Sequence, residues 1–353
     1  MRVVVYAGGG RSRVETRASP EPGPGEMLLR LRICGLCGTD LFKLKVDSVP
    51  PGTVLGHEIV GTVEALGRDV RGFARGDRVV VPHHVACGQC AQCLRGSDTL
   101  CAVFRENLLE PGGFSELVLA RERAVRWAAR KVPEGVSDDA AVFLEPSACV
   151  LRGIRRSGLP SDGAGDAPPG CAVVLGAGSM GLLHLLVLRA VDPRLRIVVT
   201  DTLEERLGLA RRLGAGKTLN PAREAVGEAV RKLTGGLGAD AVFDTVGGAA
   251  LLDEALNMTR EGGTVVLFAH APAGEGARFD LNKFFKNERR VMGTYSGGLK
   301  EQEEIHQLIA TGRLDASALI THRLPFSRFE EAVELCRALK ALKVILEPDG
   351  GET

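Results

Sequence analysis

The sequence predicts an α/β protein of two domains, a barrel-like β unit followed by a doubly wound parallel sheet. Three observations carry that prediction. As far as about Val125 the chain is a series of short β-branched runs broken by Gly and Pro, whereas beyond Gly170 short apolar runs alternate with helical patterns. A glycine-spaced turn joins the first of those later runs to an apolar helix, and 353 residues are more than one hydrophobic core usually serves.

Taken in order, strands are expected at Arg2 to Tyr6, Met27 to Ile33, Gly61 to Leu66, Arg78 to Val81 and Glu116 to Leu119, with no long helix competing. From Asp139 to Arg156 the apolar period becomes helical. Ser157 to Gly170, rich in Gly, Ala, Asp and Pro, reads as a linker and domain boundary. Strands then follow at Ala172 to Leu175, Ile197 to Thr200, Ala241 to Phe243 and Val265 to Phe268. Between them lie a helix opening at Met180 and one from Leu203 to Leu213, ended by Gly214. Two further helical patterns, Lys300 to Thr311 and Arg328 to Leu342, precede a terminal strand from Lys343 to Leu346.

Composition removes several classes of function. With 45 basic and 44 acidic side chains the net charge is +1, which supplies no field for holding a nucleic-acid backbone or an anionic membrane. Aromatic residues, at 4%, leave little material for base stacking. The longest apolar run, Cys171 to Val191, has the length of a membrane span. Its glycines instead fit a strand, a turn and a helix, and His184 would be unpaired in lipid. The amino terminus lacks the apolar stretch of a secretory signal, and nine cysteines do not suit a disulfide framework. A cytoplasmic protein with free or metal-bound thiols is expected.

Gly176-Ala177-Gly178-Ser179-Met180-Gly181 sits between an apolar strand and an apolar helix, the setting in which such spacing binds a dinucleotide. Gly176 allows the tight turn, Gly178 lets the backbone approach a pyrophosphate and Gly181 lets helix pack on strand. The helix amino end, with Ser179 and Met180, faces the anion. Asp201, twenty residues after Gly181, is placed to accept the adenosine ribose 2′-hydroxyl, which favours NAD over NADP. Arg206 nearby softens that preference.

Cys87, Cys90, Cys93 and Cys101 lie within fifteen residues, with Gly88 and Gly96 allowing the backbone to wrap. Four thiolates close around one tetrahedral zinc without leaving an open position, so the role expected is to pin a loop. Chance proximity of reduced thiols and an iron-sulfur cluster are the alternatives. A nucleic-acid zinc ribbon is not, since Arg95 is the lobe's one basic residue.

Elsewhere the chain reads Gly35-Leu36-Cys37-Gly38-Thr39-Asp40, then Gly56-His57-Glu58, then Leu144-Glu145-Pro146. One thiol, one imidazole and two carboxylates are a plausible set for a zinc that is not fully enclosed. In this order, with the four-cysteine lobe and the nucleotide fingerprint, these motifs resemble the zinc-dependent medium-chain alcohol and polyol dehydrogenases, especially the sorbitol dehydrogenase-like branch. The resemblance spans essentially the whole chain. It implies a GroES-like domain formed by residues 1–155 and 296–353, and a Rossmann domain formed by residues 156–295.

By that resemblance Cys37 and His57 would hold a catalytic zinc, with Glu58 or Glu145 as third ligand, giving two zinc ions per chain. A Cys stands at the position of Glu145 in alcohol dehydrogenases proper, so Glu145 points towards polyols and secondary alcohols. Asp40 would fix the tautomer of His57. Thr39 would take the substrate proton while hydride passes to NAD, giving a ketone or aldehyde. Phe42 departs from the family, which often has there a His ending a proton relay. Two other readings follow from related proteins: an inactive nucleotide-binding regulatory or structural relative, and a zinc-free quinone reductase, which would lack the Cys and Gly-His-Glu ligands. His83, His84, His270 and His322 are expected to be structural or solvent-facing. Leu36, Phe42, Val46 and Tyr295 are candidate pocket residues for a small alcohol or polyol. The resemblance also implies a homodimer or homotetramer, paired through an edge strand at Arg290 to Tyr295.

Overall fold

The computed structural model describes residues 1–159 and 169–350. Most of the expected linker, Ser157 to Gly170, therefore lies outside the described residues. Two compact units emerge, residues 1–146 with 298–353 and residues 147–297. The expected divisions were at 155/156 and 295/296; those of the compact units fall at 146/147 and 297/298.

In the first unit β1 (Arg2–Gly8) pairs antiparallel with β2 (Arg11–Thr16). Next, β3 (Met27–Gly35) leads into helix α1 (Gly38–Val46), and β4 (Glu58–Leu66) returns antiparallel to β3. Along the chain come β5 (Arg78–Val80), the one-turn helix α2 (Ala91–Leu94), β6 (Leu109–Glu110), β7 (Leu117–Ala120), α3 (Glu122–Trp127) and β8 (Arg130–Lys131). The single helical pattern expected from Asp139 to Arg156 is two helices, α4 (Asp138–Ala141) and α5 (Leu144–Arg156). Pro146 explains the restart. It has no amide hydrogen to give and so is tolerated only in a first helical turn.

The second unit alternates as expected: β9 (Cys171–Leu175), α6 (Ser179–Val191), β10 (Arg196–Thr200), α7 (Glu204–Arg212), β11 (Lys217–Leu219), α8 (Val226–Leu233), β12 (Ala239–Asp244), α9 (Ala249–Met258), β13 (Thr259–Leu267), α10 (Leu281–Lys286) and β14 (Arg290–Gly293). Its six strands lie in the order β11-β10-β9-β12-β13-β14, every pair parallel. The strand order reverses at β9, so a crevice opens beyond the carboxyl ends of β9 and β12, where such sheets bind ligands. All five residues of β9 are buried, as a strand covered on both faces requires.

After that unit the chain forms α11 (Leu299–Ala310), β15 (Ile320–Pro325), α12 (Phe329–Arg337) and β16 (Lys343–Glu347). β16 pairs antiparallel with β3, closing the sheet order β15-β16-β3-β4-β5-β8. The core of this first unit includes Val3, Val5, Leu29, Phe114, Val118 and Val344. Among the described residues no helix is long and apolar enough to cross a membrane.

Candidate active site

Cys37 occupies the position just before α1. Its sulfur accepts the Thr39 amide at 3.4 Å, and the Asp40 carboxylate accepts the Cys37 amide at 3.1 Å, a reciprocal cap with sulfur in place of the usual hydroxyl. The thiolate is the form of cysteine that binds metals. Asp40 is fully buried, and its other oxygen accepts the Gly56 amide at 3.3 Å and lies 3.4 Å from His57 Nδ1. One carboxylate thus fixes both the Cys37 turn and the Gly56-His57 approach to β4. Burial opposes charge on His57, but Asp40 and Cys37 outweigh it and raise its pKa. With a metal bound the imidazole is neutral, and the same contact instead orients the ring.

Glu58 opens β4 opposite Gly35 of β3. A methyl group on Gly35 would sit 2.0 Å from Glu58 Oε2, so the missing side chain makes the space that the carboxylate occupies. Lys343, first in β16, donates to both Glu58 oxygens at 2.8 and 2.6 Å. Both side chains are buried, and the ammonium also lies 5.8 Å from the Phe143 ring centre. Burial works against charge on Lys343, yet Glu58, Cys37 and Glu145 together hold its pKa above the ordinary lysine value. Cys37, His57 and Glu58 each bring a ligand atom within 4.8 Å of the others. Glu145, from the first turn of α5, lines a small cavity with His57, Ile59, Val81, Pro82 and Leu144. Thiol, imidazole and carboxylate are zinc donors, so the residues fit the ion.

Two histidines that the sequence left aside stand beside this cluster. The His83 ring centre is 4.4 Å from that of His57 and 3.7 Å from that of His84. His84 in turn lies 5.3 Å from Phe104, which packs with Cys101 beneath the cysteine lobe. Burial first, then the His57 and His84 rings, lowers the pKa of His83, and burial followed by His57 and Lys43 brings His84 down to about 3. His83 Nδ1 is buried without a partner among the described residues. Their spacing from His57 gave no sign of this, because β5 returns the chain to β4 only in three dimensions. Of the candidate pocket residues Leu36 is buried, while Phe42 and Val46 are exposed on α1.

Cys87, Cys90, Cys93 and Cys101 converge with all four sulfurs within 4.8 Å of one another. Cys87 and Cys93 are separated by 4.0 Å and Cys90 and Cys93 by 3.5 Å, too far for disulfides. Tetrahedral zinc with sulfur at about 2.3 Å needs sulfurs about 3.8 Å apart. Amides of Gln89 and Cys90 draw the Cys87 thiol down to about 6, whereas burial and the neighbouring thiols push Cys93 up to about 12. A cation between the four sulfurs would favour the thiolate form.

In the second unit Gly176 takes φ 90°, a left-handed turn between β9 and α6. A methyl group on Gly181 would lie 1.8 Å from the Gly176 carbonyl oxygen, so α6 can pack there only without one. Gly178 precedes α6 with no side-chain cap, and Ser179 Oγ is buried without a partner among the described residues. Those unfilled donors at a helix amino end fit a pyrophosphate. Asp201 follows β10 and accepts the Ala177 amide at 2.8 Å and the Leu203 amide at 2.9 Å. Arg206 lies 3.9 Å from it. Asp201 therefore shapes the fingerprint turn, with the Arg206 guanidinium beside it.

A parallel sheet with a dinucleotide turn, together with a β unit presenting thiol, imidazole and carboxylate, defines a metal-dependent dehydrogenase. Residues 23–130 match the model of the alcohol dehydrogenase GroES-like domain, and residues 179–311 match that of the zinc-binding dehydrogenases. L-threonine 3-dehydrogenase of Aeromonas hydrophila is 30% identical over 338 residues, 94% of each chain. The structure of alcohol dehydrogenase TADH from Thermus sp. ATN1 superposes with TM-score 0.86 at 30% identity, covering 99% of this chain and 100% of that one. A dehydrogenase from Sinorhizobium meliloti 1021, described as zinc-binding and bound to NADP, gives TM-score 0.86 at 28% identity, over 98% and 99%. The chain belongs to the zinc-dependent medium-chain dehydrogenase family. It is an oxidoreductase acting on CH-OH groups, with a GroES-like and a Rossmann domain.

Proposed function

We propose that the chain oxidises a small secondary alcohol, a hydroxy amino acid or a polyol, with NAD as acceptor, and carries two zinc ions. The observation supporting this most is the single buried carboxylate of Asp40 tying Cys37 to Gly56 and His57 in one cluster. Cys37 and His57 hold the ion. Glu145, which lines the cavity with His57, is the third ligand proposed; Glu58 lies close enough to Cys37 and His57 but carries the Lys343 ammonium on both oxygens. Asp40 holds the His57 ring, and Thr39 receives the proton of the substrate hydroxyl. Zinc, when bound, supplies Lewis acidity towards the substrate oxygen, and NAD supplies the hydride acceptor.

The relatives named for L-threonine make that compound the first candidate, beside polyols and simple secondary alcohols. Asp201 supports NAD, with Arg206 narrowing the preference. The free edge of β14 in the six-stranded sheet supports self-association through that strand. The test is a panel of L-threonine, 2,3-butanediol, sorbitol and 2-propanol with NAD and with NADP, run with zinc analysis of the same protein. Reduction of NAD by at least one member, lost in Cys37→Ala with NAD binding kept, is the expected result. An active Cys37→Ala variant overturns the assignment.

A further inference from the structure

A second pocket, independent of the cluster above, opens in the first unit between the β1–β2 turn and the carboxyl ends of α1 and α12. Its volume is about 490 Å³, within the usual range for small-molecule sites, and Gly9, Gly10, Arg11, Leu44, Lys45, Asp47, Glu330 and Arg337 line it. Its charges are unequally engaged. Asp47 accepts the Tyr6 hydroxyl and Glu330 accepts the Ser12 amide. The side chains of Arg11, Lys45 and Arg337 make no hydrogen bond or ion pair among the described residues.

Lys45 and Arg337 belong to the last turns of α1 and α12, where cations offset the partial negative charge of the helix end. That accounts for two of the three. Arg11 is exposed on β2, an edge strand of a two-stranded sheet, where a cation is also ordinary, so it is the shared pocket rather than any one of the three that calls for an anion. The turn at Gly10 lies beside both walls: its Cβ position is 3.7 Å from Arg337 Nη2 and 3.5 Å from the Leu44 carbonyl oxygen. Arg337 is thereby set against the turn that carries Arg11, with Lys45 following Leu44 on the same wall.

We propose that this pocket binds a small phosphorylated molecule, with Arg11, Lys45 and Arg337 around the phosphate. A carboxylate would satisfy one guanidinium fork, whereas a phosphate dianion offers enough oxygens to engage two forks and an ammonium. The remaining volume takes the organic part.

The probe is glycerol 3-phosphate, titrated calorimetrically into the zinc-loaded protein saturated with NAD, with glycerol and an equal ionic strength of sodium chloride as controls. Saturable binding is expected for glycerol 3-phosphate alone. The double variant Arg11→Gln/Arg337→Gln should bind at least about tenfold more weakly, with its ligand-free melting temperature unchanged. Lys45→Gln, a change at one exposed side chain, should weaken binding in the same direction, and provides the measurement if the double variant is unstable. Equal affinity in wild type and variants, or heat no greater than with sodium chloride, overturns the proposal. Neither outcome depends on turnover, so the site stands or falls apart from the dehydrogenase reading.

Discussion

Lys343 and Glu58, 285 residues apart in the chain, form a buried pair in which one ammonium donates to both carboxylate oxygens. The pair joins the last strand of the first unit to the strand that follows His57. Removing one partner strands the other charge, at about 3–5 kcal/mol. Lys343→Met should therefore lower stability by that amount in urea unfolding. Adding Glu58→Gln, which removes the stranded charge, should recover most of it. If the double variant is as unstable as Lys343→Met alone, the pair is not the source of the loss.

The same pair separates the two candidate carboxylate ligands. Glu145→Gln should leave one zinc per chain by metal analysis, the ion of the cysteine lobe, and abolish turnover. Glu58→Gln should retain two. Two zinc ions in Glu145→Gln would return Glu58 to the third position.

Cys90→Ser tests the lobe. Three thiols hold zinc less tightly than four, so one ion should be lost on mild chelation and the melting temperature should fall, while residual activity persists. The shape of the lobe gives the reason: Ala86, Cys101 and Phe104 are all the buried residues of its small core. An apolar core of that size does not hold a loop alone. Unchanged melting with full metal loss would remove the pinning role.

Two glycines of the fingerprint should respond differently. Nothing approaches a methyl group on Gly178 closer than 3.9 Å, so Gly178→Ala should fold normally but bind NAD about tenfold or more weakly, because the methyl stands where a pyrophosphate must approach. Gly181→Ala meets a backbone oxygen at 1.8 Å and should destabilise the unit by about 1–3 kcal/mol or more. Fluorescence titration with NADH and thermal melting distinguish the two. Equal NADH affinity in Gly178→Ala and wild type would place the pyrophosphate elsewhere.

The sequence revealed features with local signatures and missed those made by distance. Alternating strands and helices, the glycine turn and the cysteine spacing are each written within about thirty residues. α1 was not foreseen although it carries Thr39 and Asp40, because its cap is a cysteine sulfur and Asp40 and Leu44 are its only buried residues. β2, with sequence RSRVET, is mostly exposed and has no apolar alternation to read. Arg328 to Leu342 reads as one helix but stops at Arg337, with Leu339 in the left-handed region. Lys343 beside Glu58 and His83 beside His57 are products of β16 and β5 joining their neighbours in the sheet. No spacing along the chain encodes them.

His184 supplies the last prediction. It is fully buried in α6, with Nδ1 2.7 Å from the Met180 carbonyl, Nε2 unpartnered among the described residues, and the Phe268 ring edge-on at 4.6 Å. Burial drives its pKa down to about 4, against an ordinary value of 6.5, with the Met180 carbonyl pulling weakly the other way. Between those values the unfolded chain binds a proton that the folded chain refuses, so this residue's contribution is full above pH 6.5 and is lost as pH falls towards 4. The loss amounts to about 3 kcal/mol. His184→Leu removes the titrating group. The stability of wild type relative to the variant, measured in urea at intervals from pH 7.5 to 4.5, should therefore fall by about 2–3 kcal/mol. A constant difference across that range would mean that the ring is protonated or hydrated in the folded protein.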